Sequence, residues 1–168
     1  MPASRRKTRV IKTIDALCVG AFARLAHHPV NHYRSSKSMF NHIMIGSNDI
    51  ERSQRFYDAV LGVLGARAPM RNRSPSGHMR LFYRHEGNTF SISEPIDGEP
   101  ATCGNGTTIG FKCASAEQAK AFHDMAVASG GTSIEDPPGM RSGDLGQLYL
   151  AYVRDPDGNK LCALYRPK

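Results

Sequence analysis

The sequence predicts an α+β protein built from two βαβββ modules in one chain, with mixed sheets curving around a shared cleft. Two internal offsets and one periodicity predict it. Adding 66 carries His42 to Thr108, Ile43 to Ile109, Ile45 to Phe111, Phe56-Tyr57-Asp58 to Phe122-His123-Asp124, and Gly65 to Gly131. Adding 71 sets "GNTFSI" (87–92) beside "GNKLCA" (158–163), the difference being absorbed by a longer loop, "IEDPPGMRSGDLG" (134–146). Within each copy, short alternating runs flank one segment whose apolar residues recur at intervals of three and four.

The elements follow in order. An apolar strand over 40–46 precedes Asn48-Asp49, a helix cap, and a helix near 50–62 with Phe56, Ala59 and Val60 on its buried stripe. Strands are expected at 65–69, 79–85 and 88–93, with the Arg-, Pro- and Ser-rich stretch 68–77 read as an exposed loop. A linker over 93–106 leads to a strand at 107–112 and a helix at 116–129. Ser115 is its candidate cap; Glu117 follows by two residues rather than three, so no full capping box is expected. Strands at 132–134, 147–154 and 159–165 complete the second module, the last two joined by the turn "RDPDGNK" (154–160). The modules are assigned to 40–95 and 106–166. One helix covers only one face of each sheet, so two modules should combine and leave a cleft.

Charge is unevenly placed. Residues 1–38 carry eight Lys/Arg against Asp15 alone, whereas the remaining 130 residues hold 14 of each sign. The domain is therefore neutral, and nucleic acid is not expected as a partner. The head loosely imitates a signal peptide, yet its apolar run (16–23) spans only eight residues between Asp15 and Arg24, too short to cross a bilayer. It reads as a basic, disordered or loosely attached extension, with Met39 as the natural start of a domain over 39–166. An amphipathic helix over 14–26 is the other reading. Cys18, Cys103, Cys113 and Cys162 make no CxxC pair, so reduced thiols in the cytoplasm are expected.

Strand alternation separates the faces. Ile43 and Ile45 go with the helix in the first strand, and Phe90 and Ile92 in the fourth; their counterparts in the second module are Ile109, Phe111, Leu161 and Ala163. His42, Ser91, Thr108 and Cys162 are left on the cleft side, at matched positions of the two copies.

The segments "FNHIMIGSNDIERSQRFYDAVLGVLG" (40–65), "DGEPATCGNGTTIGF" (97–111), "AFHDMAVASGG" (121–131) and "YVRDPDGNKLCALY" (152–165) together resemble the vicinal oxygen chelate superfamily, which contains glyoxalase I, bleomycin-resistance proteins and extradiol dioxygenases. The resemblance covers about residues 39–166 and is closest to small bacterial glyoxalase-like proteins. It implies that the four matched positions would hold a metal in members that use one. Here only His42 fits that pattern; Ser91, Thr108 and Cys162 depart from it, and the carboxylate that would act as base is missing from both matched places. A catalytic metal needs about three good protein donors and an open position. No cofactor is therefore expected, with a divalent metal as the alternative.

The resemblance implies a small-molecule ligand, a homodimer, and either a lyase or isomerase or a non-catalytic sequestering protein of the bleomycin-resistance type. His42 is the candidate catalytic residue, open to three roles: ligand, general base, or polar wall of the cleft. Arg141, in the long loop, is the candidate for gripping an anion in bidentate fashion. Tyr149 and Tyr152 have opposite parity, so one of them should face the ligand, beside Ser91, Thr108 and Cys162. No P-loop, dinucleotide fingerprint, HExxH or GxSxG is present.

Overall fold

The computed structural model describes residues 39–144 and 146–168. The expectations placed on the basic head, including Cys18, lie outside the described residues.

The first module consists of β1 (Ile43–Gly46), α1 (Ile50–Gly62), β2 (Met70–Arg73), β3 (Met79–His85) and β4 (Asn88–Ser93). The second repeats the order with β5 (Ile109–Lys112), α2 (Ala116–Ala128), β6 (Thr132–Gly143), β7 (Gly146–Arg154) and β8 (Lys160–Tyr165). Each module makes its own four-stranded mixed sheet, in the orders β1-β4-β3-β2 and β5-β8-β7-β6. The first strand of each module runs parallel to the last, and the other pairs are antiparallel. The duplication extends to register: Met44 sits opposite Ser91 as Gly110 sits opposite Cys162.

Two segments differ from the sequence expectation. Residues 70–73 are a strand rather than part of a loop, and nothing regular forms at 65–69. Charge-rich sequence is compatible with a strand at a sheet edge, where charged side chains stay in water and deter wrong pairing. Arg71 reaches α1, donating to Glu51 at 3.0 Å and to Gln54. Likewise β6 continues to Gly143 through the expected long loop, with a register shift between Ile134 and Gly139. Pro137 and Pro138 fit there because β6 is an edge strand, where a missing N–H breaks no ladder.

Caps set the helix starts. Asp49 accepts from the Arg52 amide at 2.9 Å, and Ser115 from the Gln118 amide at 3.2 Å. Gln118, three residues after Ser115, bonds one residue ahead of the cap, its Oε1 accepting from the Ala114 amide at 2.7 Å rather than from the cap's own amide as a full capping box requires. Its Nε2 donates to the Val63 carbonyl at 3.0 Å, so the same side chain ties the second helix to the end of the first.

The core is continuous between modules. Phe56, Tyr57, Val60, Leu81 and Ile92 are fully buried in the first, and Phe122, Ala126, Val153 and Leu161 in the second. A chain of rings joins them: Tyr57–Phe90, Phe90–Phe111 and Phe111–Phe122 have centroids 5.1, 5.3 and 5.3 Å apart. Tilted and edge-on contacts of this kind add to the burial itself.

Candidate functional site

His42 and Thr108 each stand one residue before the first strand of their module, and both are exposed. No strand of one sheet bonds a strand of the other, and β1 and β5 are both sheet edges. A cavity of about 910 Å³ lies against both edges, and both His42 and Thr108 line it. Phe40, Ile43, Leu64, Phe90 and Phe111 give it apolar walls, and His85, Thr89, Lys112 and Gln118 supply polar points. Mostly apolar walls with a few polar groups are the usual composition of a small-molecule site. The His42 ring is oriented by a 3.1 Å contact between Nδ1 and Asn41 Oδ1.

Ser91 and Cys162 do not line this cavity. Strand register puts Ser91 between Met44 and Phe82, where it is fully buried and its Oγ has no hydrogen-bond partner among the described residues. Cys162 lies between Gly110 and Tyr152, and is 3 % exposed. Burial pushes the Cys162 thiol up, away from the thiolate, against a smaller opposing effect of a hydrogen bond from Tyr152. The Tyr152 phenol is raised as well, first by burial and then by its neighbour Cys162, beside which a second negative charge would be unfavourable. Both groups are thus held protonated, as donors rather than nucleophiles.

Tyr152 is the tyrosine that shares the Cys162 face; Tyr149 pairs with Tyr165 on the opposite face and packs against the core. Arg141 belongs to strand β6, and its guanidinium is folded onto its own strand, donating to the carbonyls of Pro137 at 2.7 Å and Met140 at 3.2 Å.

Two cations were not singled out by the sequence reasoning. Arg154 and Lys160 are register partners at the end of β7 and the start of β8, two residues from Tyr152 and Cys162 and therefore on their face. The alternation that selected Cys162 would have found Lys160 too. Lys160 Nζ lies 4.6 Å from the centroid of the Tyr152 ring and is ion-paired with Glu135. Glu135 has a φ of 60°, in the left-handed region, within the β6 register shift. Arg154, Lys160 and Thr108 line a second, smaller pocket of about 340 Å³.

Residues 39–163 match the Glyoxalase/Bleomycin resistance protein/Dioxygenase superfamily. The chain belongs to this superfamily. Among solved structures, a glyoxalase/bleomycin resistance protein from Albidiferax ferrireducens T118 is 56% identical; the match covers 77% of this chain and all of that one, with a TM-score of 0.72. A glyoxalase-related enzyme from Fulvimarina pelagi is 22% identical over 76% of this chain and 88% of its own, with a TM-score of 0.56. A glyoxylase/bleomycin resistance protein/dioxygenase domain from Frankia sp. EAN1pec is 17% identical over 79% and 100%, with a TM-score of 0.59. The last two show the shared fold alone. No curated protein matches the chain.

The superfamily's metal chemistry can be tested against the residues present. Of the four matched positions, His42 offers an imidazole, while Thr108 offers a neutral hydroxyl and Ser91 a buried one. Cys162 carries a thiol that burial keeps protonated. Among the described residues, no three His, Cys, Asp or Glu side chains gather closely enough to hold an ion. This donor set does not fit a divalent metal, which is bound by carboxylate, imidazole and thiolate. Among the described residues, no helix is long and apolar enough to cross a membrane.

Proposed function

We propose that the protein is a glyoxalase-like binder of a small organic molecule, held in the cavity between the β1 and β5 edges. One observation carries the reading: two modules of the superfamily fold contribute apolar walls to a single space of about 910 Å³, with His42 and Thr108 among its polar points. Apolar surface would drive binding, and the few polar groups would orient the ligand. In this reading His42 is the residue proposed to polarise or deprotonate an oxygenated ligand, because an imidazole ring offers both a donor and an acceptor nitrogen. If the ligand is turned over, isomerisation or elimination is the chemistry proposed, with no metal-dependent step.

Titration with a neutral apolar fluorophore such as N-phenyl-1-naphthylamine tests the reading. Saturable binding at one site per chain, weakened by His42→Ala or by filling the cavity, supports it. Absence of saturable binding rejects it. A screen of small oxygenated compounds, followed by mass spectrometry of the mixtures, then separates turnover from sequestration. Light scattering of the same sample tests the homodimer, which a mass of two chains would support.

A further inference from the structure

The smaller pocket has a different chemistry from the large cavity. Its walls are the loop 103–108, "CGNGTT", together with Arg154 and Lys160. The loop folds back tightly: the Thr107 amide donates to the Gly104 carbonyl at 3.2 Å, and a Cβ added at Gly104 would lie 2.5 Å from Thr107 Oγ1. Two side chains of one sign therefore face a concave polar space with no carboxylate in its wall among the described residues. The acidic residues of the neighbouring turn are engaged elsewhere, Asp155 by Tyr57 and Asp157 by Arg52. Arg154 donates one bond, at 2.6 Å, to the Gly158 carbonyl. Lys160 is held by Glu135, the acidic side chain that competes for it.

We propose that this pocket is an anion subsite that takes the carboxylate or phosphate group of a small organic ligand. Arg154 and Lys160 would bind the anionic oxygens by charge-assisted hydrogen bonds, and the Thr107 and Thr108 hydroxyls would donate further ones. The inference rests on the ligand-binding reading above, and Thr108 connects the two, since it lines both the large cavity and this pocket. Binding of an anion displaces Glu135 from Lys160.

Cys103 supplies an internal reporter, being exposed and part of the pocket wall. The full-length protein is alkylated with iodoacetamide at constant ionic strength in chloride, and modification of the Cys103 peptide is followed by mass spectrometry. Inorganic phosphate is titrated in one series and acetate in another. Saturable protection of Cys103 by either anion is expected, and the anion acting at lower concentration identifies the group recognised. Arg154→Met and Lys160→Met should each weaken that protection about tenfold, the scale of one charge-assisted bond. Glu135→Gln should strengthen it by removing the competitor. The subsite is refuted if neither anion protects, or if both cation variants are protected as well as the parent chain. Comparing rates with and without anion within each variant cancels changes in intrinsic thiol reactivity. Retained fluorophore binding alongside absent protection would discard the subsite and keep the proposed function; loss of both would discard both.

Discussion

The Tyr57 hydroxyl donates a 2.7 Å hydrogen bond to Asp155, across 98 residues of chain and from the helix of one module to the β7–β8 turn of the other. Both residues are buried, Tyr57 completely. Asp155 also accepts from the Asn159 amide at 2.8 Å and the Asp157 amide at 3.0 Å, which closes the turn. Asp157 pairs with Arg52 at 2.7 Å and accepts from Ser53 at 3.0 Å and the Asn48 amide at 3.1 Å. The two carboxylates of one turn thus fasten the two modules together.

Tyr57→Phe should destabilise the domain by about 1–3 kcal/mol, since it leaves the buried Asp155 carboxylate short of a donor. Denaturant titration measures this. Fluorophore affinity should fall with it, because the cavity depends on how the modules are set. An unchanged midpoint would remove the bond from the account of module packing.

Stability should decline at alkaline pH. Burial pushes the Cys113 thiol from an ordinary 9.0 up to about 11, and the Tyr57 phenol is raised in the same direction, again chiefly by burial. The native chain therefore keeps protons that the unfolded chain releases, so unfolding becomes easier as pH rises. Stability is retained below about pH 9 and lost toward about pH 11. Denaturant midpoints across that window give the slope, and Cys113→Ala should make it shallower; an identical slope in the variant would exclude the thiol.

Filling the large cavity should separate binding from folding. A Cβ built on Gly110 meets nothing within 4 Å, and Gly110 lines the cavity. Gly110→Leu is expected to leave the thermal midpoint within a few degrees and to weaken fluorophore binding by about tenfold or more, through lost space. Unaltered affinity would place the probe elsewhere.

Gly131→Ala should behave in the opposite way. The added Cβ would lie 2.8 Å from the carbonyl oxygens of both Ala126 and Arg154, and backbone of a helix and a strand cannot readily move aside. A loss of about 1–3 kcal/mol is expected by overpacking, read as a lowered denaturation midpoint. No loss would mean that the helix end and strand yield more than their hydrogen bonds suggest.

Glycine at this repeat position illustrates what a sequence conveys. Gly65 and Gly131 correspond by the 66-residue offset, yet Gly65 adopts a φ of 88°, whereas the Gly131 site is defined by close approach. The repeat marked both positions without revealing that their physical reasons differ. The helix over 50–62 and the strands over 79–85 and 88–93 were legible to the residue because apolar periodicity and turn residues act locally. Edge strands β2 and β6 were less so: an edge tolerates Arg and Pro that read as loop.

By itself the sequence determined the duplicated βαβββ plan, the superfamily likeness and the core-facing residues of β4 and β8, Phe90, Ile92, Leu161 and Ala163. Those follow from offsets and alternation within a few residues of chain. Only the tertiary structure decided that His42 and Thr108 line one cavity while Ser91 and Cys162 are enclosed within their sheets, and that Arg154 and Lys160 line a second pocket. The shared cavity depends on how one module is set against the other, and the remaining outcomes on packing around each sheet. Contacts such as Tyr57–Asp155 and Gln118–Val63 fix that setting between distant parts of the chain, where no local pattern records it.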